Sequence, residues 1–147
     1  MKLLAENRKA RFDYQILETF EAGIALTGQE VKSIRAGQAN LTGAYVVLKP
    51  QGAMLLNAEI PPFQAKNAPI GYNSSRTRQL LLNKKELSYL FGKAKESNLT
   101  IIPLSLYNKG RHIKVEIGLT RRKKKQDKRD TLKKRQTERE IGRTLKS

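Results

Sequence analysis

The chain contains no cysteine and no tryptophan, one histidine (His112), and only five tyrosines and four phenylalanines in 147 residues. Without cysteine there is no disulfide framework, no cysteine zinc site and no Cys-His nucleophile. A histidine-dependent triad would have His112 alone to draw on. Acid is scarce too, with 13 Asp and Glu against 30 Lys and Arg and a formal charge of +17. No apolar run approaches the ~20 residues needed to span a bilayer, and the N-terminus, Met1-Lys2-Leu3-Leu4-Ala5-Glu6, has no signal-peptide core. The expectation is a soluble, cytoplasmic chain without membrane contact, whose partner is a polyanion.

What charge there is falls unevenly. Residues 1–120 hold 17 basic and 9 acidic side chains and nearly all the apolar ones. Residues 121–147 hold 13 basic and 4 acidic, with only Leu132, Ile141 and Leu145 as large apolar residues. A 120-residue body can bury its own core, but three scattered apolar side chains cannot offset the ordering entropy of the remainder. The reading is therefore a folded body over 1–120 and a basic tail over 121–147, disordered alone and helical when bound to a polyanion. At 100° per residue Arg121, Lys124, Lys128, Arg135, Arg139, Arg143 and Lys146 fall on one stripe, opposite Asp127, Asp130, Glu138, Ile141 and Leu145. Such a helix would be ~40 Å long.

Within the body, alternation from Phe12 through Tyr14 and Ile16 predicts a strand that resumes at Ile24, with Gly23 as a bulge or bend within it. Residues 29–36, stopped by Gly37, predict a two-turn helix. Tyr45 to Leu48 and Met54 to Leu56 flank Pro50-Gln51-Gly52 as a hairpin, and residues 61–76 are a loop rich in Pro and Gly. Asn83 caps a helix with Glu86 three residues on and an apolar stripe of Leu87, Leu90, Phe91 and Ala94. Thr100 to Tyr107 and Ile113 to Thr120 make a closing hairpin. This order predicts a mainly β fold, a closed antiparallel β-barrel of the oligonucleotide-binding type with short flanking helices.

No catalytic constellation emerges. Asp13, Glu18, Glu21, Glu30 and Glu59 could supply a carboxylate pair, but no metal-binding or phosphate-loop motif accompanies them. The chain reads as a binding protein, not an enzyme, with no metal and no cofactor. Arg8, Lys9 and Arg11 precede Phe12 and Tyr14, setting phosphate-pairing groups beside rings that stack on bases. Arg76 and Arg78 share one face of an extended segment leading into Leu80. In so basic a chain these clusters point to nucleic acid.

Five stretches carry a resemblance. Asn7-Arg8-Lys9-Ala10-Arg11, Phe20-Glu21-Ala22-Gly23-Ile24, Glu30-Val31-Lys32-Ser33-Ile34-Arg35-Ala36-Gly37, Arg76-Thr77-Arg78-Gln79-Leu80-Leu81-Leu82 and Asp127-Lys128-Arg129 together resemble the small protein B (SmpB) family of SsrA-binding proteins, in register over nearly the whole chain. The resemblance implies an RNA-binding adaptor. Its body would hold the tRNA-like domain of transfer-messenger RNA (SsrA RNA) and its tail would occupy the decoding centre and empty mRNA channel of a stalled ribosome. Elongation factor Tu and alanyl-tRNA synthetase would act through the same RNA.

Carried over residue by residue, the resemblance places RNA contacts at Glu21, Leu81 and Lys114, beside the basic candidates Arg8, Lys9, Arg11, Lys32, Arg35, Arg76 and Arg78 and the ring of Tyr14. Leu81 reads equally as contact or barrel core. In the tail it marks Lys123, Lys124, Asp127, Lys128 and Arg129, to which the basic stripe adds Arg135, Arg139 and Arg143. Phe12 and Gln126 depart from the family's usual residues, and Gln126 has no ring with which to stack. A ribosomal or ribosome-assembly protein is the alternative that a basic body with a basic tail leaves open.

Overall fold

The structure, a computed structural model, describes residues 2–124 together with Arg129 and Leu132. Seven strands, β1 (Lys2–Glu6), β2 (Tyr14–Ile24), β3 (Tyr45–Lys49), β4 (Gly52–Leu56), β5 (Arg78–Leu81), β6 (Thr100–Lys109) and β7 (His112–Arg122), form one antiparallel sheet. Its order is β1-β6-β3-β4-β5-β2-β7, and a further β6–β7 pairing closes the six strands from β6 to β7 into a ring, with β1 added on β6. The expected closure is thus present. It comes from β6, which pairs along one edge with both β3 and β1 and along the other with β7. Alternation explains which side is in: Val115, Ile117 and Leu119 of β7 join Ala22, Leu55 and Leu80 in one buried cluster, while Lys114 and Glu116 face out.

Within residues 2–124 three α-helices accompany the sheet. The helix α2 (Gly28–Arg35) has a full capping box between Thr27 and Glu30 and ends at Gly37, whose φ of +77° suits glycine. The helix α3 (Lys84–Ser97) begins under Asn83, whose side chain accepts from the Glu86 amide, and buries Leu90 against the core. Both agree with the sequence reading. The short helix α1 (Arg8–Asp13) does not, because Phe12 and Asp13 were expected to open a strand. Asn7 decides the matter: its Oδ1 accepts from the Ala10 amide while its Nδ2 donates to the carbonyls of Leu41 and Pro103. One buried amide thereby caps the turn and ties it to β6.

Two further expectations are corrected. Gly23 is no bulge: it pairs in register with Lys114 and Leu81, and the register shift in β2 lies between Ile16 and Glu18, at the exposed Leu17. Strand β7 also runs past 120 to Arg122, and the Lys123 amide donates to the Asp13 carbonyl. Ladder bonds that need only backbone groups carried the strand beyond the last apolar side chain. Of the tail candidates, Lys123, Lys124 and Arg129 are described, and Asp127, Lys128, Arg135, Arg139 and Arg143 lie outside the described residues. Among the described residues no helix is long and apolar enough to cross a membrane.

Candidate nucleic-acid interface

Cross-strand register gathers residues that are far apart in sequence. On the outer face of the ring one row runs Leu81, Gly23, Lys114, Tyr107 and Leu3 across β5, β2, β7, β6 and β1. The next row outward-facing on the same strands runs Glu21, Glu116, Ser105 and Glu6. Glu21, Leu81 and Lys114 therefore share one face. Leu81 is 57% exposed whereas Leu80 beside it is 2% exposed, so Leu81 belongs to the surface and not to the core.

Gly23 is the floor between Leu81 and Lys114. A Cβ placed on it would stand 3.1 Å from the Leu81 Cβ, tighter than side chains ordinarily pack. A side chain here would push Leu81 outward and fill the gap before Lys114. Lys114 makes no side-chain hydrogen bond or ion pair among the described residues, which leaves its ammonium available for a phosphate.

Each acid of this face is matched by a cation. The Glu21 carboxylate accepts from the Tyr107 hydroxyl at Oε2 and from Lys109 Nζ at 3.0 Å. Arg11 reaches Glu116 at 3.1 Å and Glu6 at 3.6 Å, anchoring α1 beside the same rows. Hydrogen bonds from Tyr107 and then Lys109 hold the Glu21 carboxyl below its ordinary range, with Lys114 adding a smaller pull. Burial, followed by the bond to Glu21, pushes the Tyr107 phenol well above its own. Glu21 is thus ionised and an acceptor only, and Tyr107 keeps its proton. Between the rows lies an open groove of about 450 Å³ lined by Leu3, Thr19, Glu21, Ser105, Tyr107 and Glu116.

The other basic candidates separate into three settings. Lys32 and Arg35 are exposed on α2, and Arg35 donates to the Arg111 carbonyl at the tip of the β6–β7 hairpin, extending the cationic surface around His112. Arg8 is exposed, and Lys9 and Tyr14 line a second groove of about 330 Å³ with Tyr45. That groove lies seven residues along β2 from Glu21, roughly 20 Å away. The third setting is a correction. Arg78 is fully buried, with its guanidinium held by Glu30 at 2.6 Å and by the carbonyls of Ala58 and Ser74 at 2.8 and 3.0 Å. It cannot reach a ligand, because α2 and the loop after β4 close over it. Arg76 shares the same carboxylate at 2.6 Å but remains 41% exposed.

Sequence reading missed Tyr107, Lys109 and Glu116. Tyr107 lies 86 residues from Glu21, and only the strand register brings them together. Among the described residues no three His, Asp or Glu side chains are grouped to hold a metal ion.

The SmpB protein family matches this chain over residues 4–147. The chain belongs to the SmpB family. It is 49% identical over 145 residues to the SsrA-binding protein of Gloeothece citriformis (strain PCC 7424), covering 99% of this chain and 94% of that protein. It is equally 49% identical over 145 residues to the SsrA-binding protein of Roseiflexus sp. (strain RS-1), covering 99% and 92%. Among solved structures, one described as "tmRNA-SmpB: a journey to the center of the bacterial ribosome" superposes with a TM-score of 0.69 at 46% identity, covering 82% of this chain and 85% of that one. Membership agrees with the resemblance carried by the five stretches. It also gives the SmpB fold as the setting in which Glu21, Leu81 and Lys114 meet.

Proposed function

We propose that this chain is the RNA-binding adaptor of trans-translation, holding transfer-messenger RNA through the outer face of β5, β2 and β7 and acting with it on the stalled ribosome. One observation carries the reading: Leu81 and Lys114 flank the bare backbone of Gly23, with Glu21 one step along the same face. Its support is SmpB family membership over residues 4–147, relatives that are SsrA-binding proteins, and a structural neighbour described as tmRNA-SmpB in the bacterial ribosome.

The chemistry follows from the side chains. Lys114 pairs with a phosphate, which supplies affinity without selectivity. Leu81 packs on a ribose or base face. Glu21, fixed and ionised, accepts from a base amino group or a 2′-hydroxyl, a directional contact that depends on the shape of the RNA as well as on its charge. Lys32, Arg35 and Arg76 add phosphate contacts at the margins. The basic tail from residue 121, with Lys123, Lys124, Asp127, Lys128, Arg129, Arg135, Arg139 and Arg143, lies along ribosomal RNA in the decoding centre and mRNA channel, where phosphates relieve its self-repulsion. Elongation factor Tu and alanyl-tRNA synthetase meet the protein through the RNA. The role is binding and delivery, not turnover, and its place is the cytoplasm, where ribosomes are.

The test is tag addition to stalled nascent chains in a reconstituted translation system. Addition of this protein with transfer-messenger RNA should restore tagging. No tagging, with binding to ribosomal RNA fragments instead, would favour a ribosomal or assembly protein.

A further inference from the structure

We infer that Tyr107 and Lys109 are positioning residues that aim the Glu21 carboxylate at a single outside donor, so that Glu21 recognises RNA in an orientation fixed before binding. The inference rests on the proposed RNA-binding reading of this face. Its geometry is on β6. The Tyr107 hydroxyl donates to Glu21 Oε2, and Lys109 Nζ stands 3.0 Å from Oε1 and 3.3 Å from Oε2. An ionised carboxylate has about four acceptor directions. Three are engaged here, which leaves one, on Oε1, and the side chain is 37% exposed on the face shared with Lys114 and Leu81.

Such an arrangement selects by direction. A free glutamate on a strand samples several rotamers and accepts from whatever approaches, and ordering it costs free energy at the moment of binding. Here that cost is met within the protein. Tyr107 is 8% exposed, packed between Leu3 and Lys114 in its row, so its hydroxyl is a fixed post. The charged and titratable groups that face Glu21 are Tyr107 and Lys109 from β6 and Lys114 and Glu116 from β7. Glu116 is taken by Arg11, so it does not compete for Lys109.

The experiment is a pair of mutant cycles on the full chain, read as affinity for an RNA comprising the tRNA-like domain of transfer-messenger RNA at fixed salt. Tyr107→Phe removes only the hydroxyl and should weaken binding about three- to tenfold, the worth of one hydrogen bond. In a Glu21→Ala background the same change should have no effect. Lowering the pH from 7 should weaken the Tyr107→Phe variant at a higher pH than the parent, because the group that held the carboxyl low is gone. Lys109→Gln, at an exposed site that carries no core, repeats the test if Tyr107→Phe lowers stability. It too should lose its effect in the Glu21→Ala background. Effects that persist undiminished beside Glu21→Ala, or a pH profile that does not move, would overturn the positioning role. Full binding by Glu21→Ala itself would instead overturn the reading of this face, and the inference with it.

Discussion

Arg78 and Glu30 meet at 2.6 Å with side-chain exposures of 0% and 2%, an ion pair enclosed between β5 and the first turn of α2. Glu30 Oε1 also completes the capping box of that helix by accepting from the Thr27 amide at 2.8 Å, and the same oxygen accepts from Arg76 at 2.6 Å, while Oε2 takes Arg78. One carboxylate therefore joins a helix start, a strand and a loop. Glu30→Ala would leave Arg78 buried without a counter-charge, and the cost expected is about 3–5 kcal/mol. Thermal unfolding should show a loss of roughly 15 °C or more. Arg76→Ala, whose partner keeps Arg78, should lose far less.

The same carboxylate sets an acid limit. Burial alone would raise its pKa, but hydrogen bonds from Arg76, the Thr27 amide and Arg78 outweigh that and hold it below the ordinary 4.5. A depressed folded-state value gives stability that is complete above the unfolded pKa and is lost as pH falls through the folded one. Unfolding free energy should be flat in this contribution above about pH 5.5 and should decline below 4.5, and denaturant titrations across pH 3 to 7 measure it. Glu30→Gln should flatten that decline.

Gly23→Ala separates folding from binding. Its Cβ would crowd the Leu81 Cβ at 3.1 Å, yet Leu81 is exposed and can move aside. Stability should change by about 1 kcal/mol or less. Affinity for the tRNA-like RNA should fall roughly tenfold, about 1.4 kcal/mol, because the apolar contact is displaced from Lys114. Chemical denaturation and a binding titration on the same preparation make the comparison.

Truncation after Lys123 keeps all of β7 and the bond from its amide to Asp13. The melting temperature should stay within a few degrees, and selective RNA binding should survive, weakened by the lost positive charge. Tagging of stalled chains should disappear. A cut at 120 is predicted to be worse for stability, since it removes the pairing of Arg121 and Arg122 with Gln15 and Tyr14.

How far the sequence was legible depends on whether the signal was local. Helix α2 and helix α3 carry their caps and stops within a few residues, and the hairpins carry their turns, so these read directly. Helix α1 does not: Asn7 reaches Leu41 and Pro103, and neither partner could be known from alternation around Phe12. Arg76 and Arg78 looked alike at a spacing of two, but the loop after β4 buries one and leaves the other half exposed. Gly23 reads as a bulge or bend because a glycine in a strand pattern allows these as well as a close approach, and only the in-register pairing with Leu81 and Lys114 decides. Glu21, Leu81 and Lys114 are candidates through the family resemblance, and that they share one face follows from the register alone. Tyr107 and Lys109, which hold Glu21, were not, since their proximity is a product of register.

The most direct measurement is the affinity of the full chain for the tRNA-like domain of transfer-messenger RNA against an elongator tRNA, at matched, near-physiological salt. Charge alone treats the two alike, because both present phosphates. The outer face of β5, β2 and β7 predicts clear preference for the transfer-messenger RNA domain, lost together with most of the affinity when Glu21 and Leu81 are both replaced by Ala. Equal affinity of the unaltered chain for the two RNAs would contradict the account.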